Sequence, residues 1–115
     1  MVVSYSYPFL DLRITINSFR SNIPAYIDTG FDGYLIVPKY LVIELGEPDY
    51  VSEWELGDGS IVEAQDYLGT LEIVGLEENI EVRITAIGTE FILGRSIIDR
   101  YCVLFDHGER VIIER

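Results

Sequence analysis

The apolar positions of this chain recur mostly with a period of two, the spacing of strands that bury one face. In residues 10–17, Leu10, Leu12, Ile14 and Ile16 alternate with polar side chains, and Val82, Ile84 and Ala86 repeat the pattern in residues 81–87. Residues 67–74 read as a strand holding Gly69, which marks either a bulge or a close approach of another backbone. Two further apolar runs, 101–106 and 110–114, flank His107-Gly108-Glu109 and predict a hairpin. Helix signals are few. Pro38 opens and Gly46 closes a segment suited to one or two turns, and residues 95–100 after Gly94 suit another. The pattern predicts one all-β domain over residues 1–115 with one or two short helices, and without repeats or linkers.

One predicted hairpin differs from the rest. Asp58-Gly59 is a dipeptide favoured in two-residue turns, whose central positions both need positive φ. Its arms, roughly 51 to 57 and 60 to 68, are long and rather polar. They suit either a plain surface hairpin or a projecting flap.

Composition narrows the partners. A chain of 115 residues fits one small domain, and a hydrophobic fraction of 49% can fill its core. So small a domain leaves apolar surface exposed, which a partner chain would cover. There are 20 acids against 8 bases, a formal net charge of -12. This argues against nucleic acid and against anionic membranes, both of which are bound by clustered Lys and Arg. An extended or cationic peptide remains compatible. Cys102 is the sole cysteine, so no intrachain disulfide forms, and its apolar neighbours predict a buried thiol. The N-terminal residues lack the features of a signal peptide, and no apolar run approaches the ~20 residues of a membrane span. The expectation is a soluble, cytoplasmic protein.

The stretch AYIDTGFDGYLIVP, residues 25–38, raises the question of chemistry. Asp28-Thr29-Gly30 is either an ordinary turn or a carboxylate held rigidly between two buried strands, a setting that perturbs acidity. Three features favour the second reading. Apolar runs flank the motif on both sides. A segment of two apolar residues and a glycine, Ile92-Leu93-Gly94 within FILGRSII, follows about sixty residues later. The long hairpin lies between them.

This ordered set resembles the retropepsin-like aspartic proteases, the single-domain, retroviral-type members of the aspartic peptidase clan. The resemblance covers about residues 10–113 and extends to uncharacterised archaeal and bacterial members, which often read Asp-Thr-Gly-Phe. It implies a closed acid-protease β-barrel, one lobe per chain. It implies that Asp28 is catalytic, that the Thr29 hydroxyl bonds the partner loop's backbone, and that Gly30 lets the backbone approach substrate. Ile92, Leu93 and Gly94 would pack beneath the loop, and Asp32 would pair with Arg95 as a brace. The flap would run from Trp54 to Glu63, with Gly57, Asp58, Gly59 and Ser60 at its tip. Phe31 departs from the retroviral pattern, where a small residue follows Asp-Thr-Gly. Its ring is expected either in the substrate groove or in the core. Trp54 would either line the groove or anchor the flap base.

Hydrolysis by this chemistry needs two carboxylates sharing one proton. One Asp-Thr-Gly per chain therefore implies a symmetric homodimer acting on an extended peptide or protein substrate, without metal or cofactor. The terminal segments 2–7 and 110–115 are apolar enough to pair with a partner chain. His107 reads as part of a turn. The leading expectation is an aspartic endopeptidase. The alternative is a peptide-binding or dimerisation module with little turnover.

Overall fold

The computed structural model describes residues 1–115. Ten strands are formed: β1 Val2–Ser4, β2 Phe9–Ile16, β3 Phe19–Ile27, β4 Leu35–Val37, β5 Tyr50–Glu55, β6 Ile61–Ile73, β7 Ile80–Ala86, β8 Ile92–Leu93, β9 Cys102–Asp106 and β10 Arg110–Glu114. The two expected helical segments are short. A 3-10 turn at Lys39–Leu41 runs into α1, Val42–Leu45, which stops at Gly46 with φ of 82°, and α2 spans Arg95–Ile98.

The main sheet has the order β2-β3-β8-β4-β7-β6-β5, and a further pairing of β2 with β6 closes six of these strands into a barrel. Alternation explains its interior. Leu10, Leu12, Ile14 and Ile16 are at most 1% exposed, and Val82, Ile84 and Ala86 join them. Burying such side chains is the main term favouring the fold.

Gly69 decides between its two readings. It lies where β6, still paired with β7, begins to pair with β2 as well. A Cβ there would stand 2.5 Å from the Thr15 carbonyl oxygen, so close backbone approach is what requires glycine.

A second sheet, ordered β1-β10-β9, closes one end of the molecule. Its inner side presents Val111 and Ile113, both essentially buried. The terminal segments pair with each other, Val2 opposite Ile113 and Ser4 opposite Val111, and their apolar sides face the same core. One expectation is corrected here. Cys102 is exposed rather than buried. It opens β9, an edge strand, and shares the outward face of that sheet with Leu104, so apolar neighbours in sequence do not enclose it.

The β5–β6 hairpin turns on three residues rather than the two expected from Asp58-Gly59. The Leu56 amide donates to Ser60 O at 2.8 Å and the Gly59 amide to Leu56 O at 2.9 Å, leaving three residues in the loop. Only Gly59 takes positive φ, 85°, the geometry of a turn followed by a left-handed residue.

Candidate active site

β3 ends at Ile27 and delivers Asp28 to the rim of the barrel. Its position is fixed from beneath by β8, which lies parallel to β3 and antiparallel to β4. The strand entering the 28–34 loop and the strand leaving it are thus pinned to one short element. The Tyr26 amide donates to Phe91 O at 2.9 Å and the Asp28 amide to Leu93 O at 3.0 Å. Ile92 and Leu93 therefore underlie the loop.

Asp28 is half-buried, while Thr29 and Gly30 are exposed beside it. Asp28 Oδ1 accepts the Gly30 amide at 2.8 Å, and Asp28 O accepts the Phe31 amide at 3.2 Å. The carboxylate is held by its own turn, leaving Oδ2 outside that bond. A Cβ at position 30 would come 3.1 Å from Oδ1, so a side chain there would press on the carboxylate.

The expected brace between Asp32 and Arg95 is not formed: no ion pair joins them, and both residues are exposed. The backbone does this work. The Gly94 amide donates to Tyr34 O at 2.9 Å, the Arg95 amide to Phe31 O at 2.8 Å and the Ser96 amide to Gly33 O at 3.1 Å. The Ser96 hydroxyl adds a bond to Asp32 O at 2.7 Å. With the loop's carbonyls satisfied by the start of α2, both charged side chains are released to water, where pairing gains little. Ser96 was not singled out from the sequence. Its signal was a hydroxyl two residues past a loop-contacting glycine.

Phe31 is outside the core, and its ring borders a cleft while packing on two glycines. A Cβ on Gly33 would meet its ring at 2.5 Å, and a Cβ on Gly94 would meet it at 2.6 Å. Two missing side chains make the room it fills. Its ring also meets Trp54 on β5, with centroids 5.9 Å apart and planes tilted by 43°. Trp54 thus anchors the hairpin base to the 28–34 loop while still lining a cleft of about 230 Å³ with Phe31, Gly33, Tyr34, Asp66 and Arg83.

A polar chain supports that contact. Trp54 Nε1 donates to Ser52 Oγ at 2.9 Å, and the Ser52 hydroxyl donates to Asp66 Oδ1 at 3.1 Å. Asp66, 1% exposed, also accepts from Arg83 Nε at 3.0 Å and pairs with Arg83 Nη2. The guanidinium lies 4.9 Å over the Tyr50 ring. Sequence reasoning missed Ser52, Asp66 and Arg83, because the network spans three strands, β5, β6 and β7, and no local motif marks it.

The hairpin extends from this base. Trp54 opposes Val62, and on the other face Glu53 stands directly opposite Glu63. Gly57, Asp58, Gly59 and Ser60 form its exposed tip. Asp58 Oδ1 accepts the Ser60 hydroxyl at 2.6 Å and the Ser60 amide at 2.9 Å, and these bonds hold the Asp58 carboxyl below its ordinary pKa. No group of three metal-ligating side chains gathers in the molecule, and no helix is long and apolar enough to cross a membrane.

No family model and no curated protein matches the chain. Among solved structures, the solution structure of simian foamy virus (mac) protease is similar, with a TM-score of 0.58 at 17% identity, covering 79% of this chain and 91% of that chain. The fold is retropepsin-like: a closed barrel of mostly β structure in a single lobe.

Proposed function

We propose that this chain is one half of an aspartic endopeptidase, a homodimer in which each subunit contributes one Asp28 carboxylate. The observation that carries the reading is the Asp28-Thr29-Gly30 turn, braced by β8 and α2 at the rim of a retropepsin-like barrel. Two such carboxylates in contact cannot both ionise, so the pair holds one proton. The ionised member takes a proton from a water as its oxygen bonds to the scissile carbonyl carbon. The protonated member gives its proton to the carbonyl oxygen. Collapse of the tetrahedral adduct breaks the C–N bond as the nitrogen gains a proton, and the pair regains its shared one. The acidities belong to the pair and not to either subunit.

The other residues take supporting roles in this reading. Thr29 bonds the partner's loop, and Gly30 admits the substrate backbone. The hairpin from Trp54 to Glu63 serves as a flap, pairing with an extended peptide as an added strand and excluding water on closure. Phe31 and Trp54 form the aromatic wall of the groove.

Asp28→Asn tests this directly. The variant should lose peptide cleavage by at least about 10³-fold, in line with removal of an essential acid-base group, and should keep the wild-type unfolding midpoint. Proteolysis retained at wild-type rate would end the reading. One observation favours a second reading, a peptide-binding module with little turnover: the Phe31 ring fills space beside the turn. A peptide-library digest from acidic to neutral pH separates the two, since binding without cleavage at every pH supports the module.

A further inference from the structure

We infer that the outer face of β6 and β7 carries a further binding site beside the candidate groove, a hollow that takes one lysine or arginine side chain of an extended peptide. Its use as an outlying part of a substrate groove rests on the Asp28 reading; the site itself stands on the register and charges of these two strands.

The register builds the hollow. Asp66, Leu68, Thr70 and Glu72 alternate along the outer face of β6. On β7, Thr85 stands opposite Asp66, Arg83 opposite Leu68 and Glu81 opposite Thr70. Leu68, Gly69, Thr70, Glu81 and Arg83, with Tyr34 from the neighbouring loop, line an open hollow of about 520 Å³. Tyr34 ends the 28–34 loop, and its carbonyl is held by the Gly94 amide at 2.9 Å. Tyr34 and Leu68 are both partly exposed, at 37% and 53%, because nothing else in the chain covers them. Two such walls suit the methylene stem of a long basic side chain, which buries its carbons and keeps its charged head at the water.

Charge distinguishes that occupant from others. Three carboxylates stand on this face of β6 and β7. Asp66 is paired with Arg83, and Glu72 with Arg13. Glu81, at a level between them, is exposed and joins none of the molecule's ion pairs. Arg83 does not cancel it. Its guanidinium donates to Asp66 and lies over the Tyr50 ring, and Tyr50 stands opposite Asp66 on β5. Asp66 faces Thr85, whereas Glu81 lies on the other side of Arg83 along β7. The Arg83 head therefore points away from Glu81, already neutralised, and its stem walls the hollow. An acidic side chain here would meet Glu81 as a like charge, and a neutral one would leave Glu81 unpaired. A cationic one gains a partner, and the net charge of -12 draws it in from solution.

The hollow is continuous with the groove. Tyr34 and Arg83 border both it and the smaller cleft lined by Phe31 and Trp54. A peptide lying beside the hairpin base reaches the hollow with a flanking residue without leaving the sheet face. Selection here acts on a residue away from the reacting bond.

An end-capped, uncharged Ser/Thr/Val peptide with one central arginine, and the same peptide with citrulline in its place, test the site. The Asp28→Asn protein is titrated with each, and amide chemical shifts give both affinity and place. The arginine peptide should bind about threefold to fivefold more tightly, the range of a partly exposed ion pair, with shifts at Leu68, Thr70 and Val82. Glu81→Gln should remove the preference. Glu109→Gln, the same charge change in the turn between β9 and β10, should keep it. Leu68→Ser should weaken both peptides alike, since both carry the stem. Equal binding of the two peptides, a preference lost equally in Glu109→Gln, or shifts confined to other strands would each overturn the inference. Selective binding by a protein whose wild type cleaves nothing in a peptide-library digest removes the enzyme reading and leaves the site. Cleavage by wild type with equal kcat/KM and equal binding for the two peptides removes the site and leaves the enzyme.

Discussion

At the scale of single residues, Phe31 sits in space set aside for it by two glycines, and the two differ in kind. The three nearest neighbours of a Cβ at Gly33 are Phe31 ring atoms, whereas a Cβ at Gly94 would also stand 2.2 Å from the Gly33 carbonyl oxygen. Gly33→Ala should therefore destabilise the fold by about 1–3 kcal/mol through overpacking, and Phe31→Ala in the same chain should relieve most of that cost. Gly94→Ala should cost at least as much and should not be rescued, because its obstacle is backbone. Thermal unfolding of the two double mutants checks this; equal rescue of both would show that the carbonyl contact is unimportant. The Asp28-Thr29-Gly30 turn was legible in the sequence because it is local, three residues between apolar runs. The Asp32–Arg95 brace was misread because two matching side chains do not reveal that backbone amides already occupy the loop's acceptors.

At the scale of elements, the β5–β6 hairpin depends on its base. Asp66 is buried and receives bonds from Arg83 on β7 and Ser52 on β5, which carries the Trp54 indole in turn. Asp66→Ala leaves Ser52 and Trp54 without that acceptor. Arg83 is 47% exposed in its side chain and stays hydrated, so the loss should be about 1–3 kcal/mol rather than the larger cost of stranding a buried charge. Amide exchange across β5 should quicken more than across β2 or β3, and Trp54 fluorescence should shift as its ring loosens from Phe31. Uniform quickening in every strand would mean that the network holds the barrel and not the hairpin. Alternation revealed the strands themselves. It did not reveal this network, because a polar residue at an inward position looks like a break in the pattern until its partner on the next strand is known.

At the scale of the whole molecule, charge and association oppose each other. Two copies of a chain at -12 repel, and only a low-charge surface lets them meet. Added salt should therefore tighten the proposed dimer: raising ionic strength from about 0.05 to about 0.5 M, which shortens the screening length severalfold, should lower its dissociation constant several-fold. Analytical ultracentrifugation at the two salt levels measures this, and a dimer loosened by salt would mean opposite charges hold it. The barrel was legible as period-two runs. The closing sheet was not, because an apolar terminal run shows that a strand needs a neighbour and not whether that neighbour lies in the same chain. Cys102 was misplaced for the same reason, since its exposure follows from β9 standing at an edge.

The pocket around Phe31 also limits how this loop could change over time. With the ring in place, neither Gly33 nor Gly94 can gain a side chain without collision. If position 31 became small first, position 33 would be free to vary, and a large residue could then no longer return to 31. Position 94 would stay closed in either history. The loop thus permits one order of substitution and forbids the reverse, and that ordering is set by a few ångströms of ring against backbone.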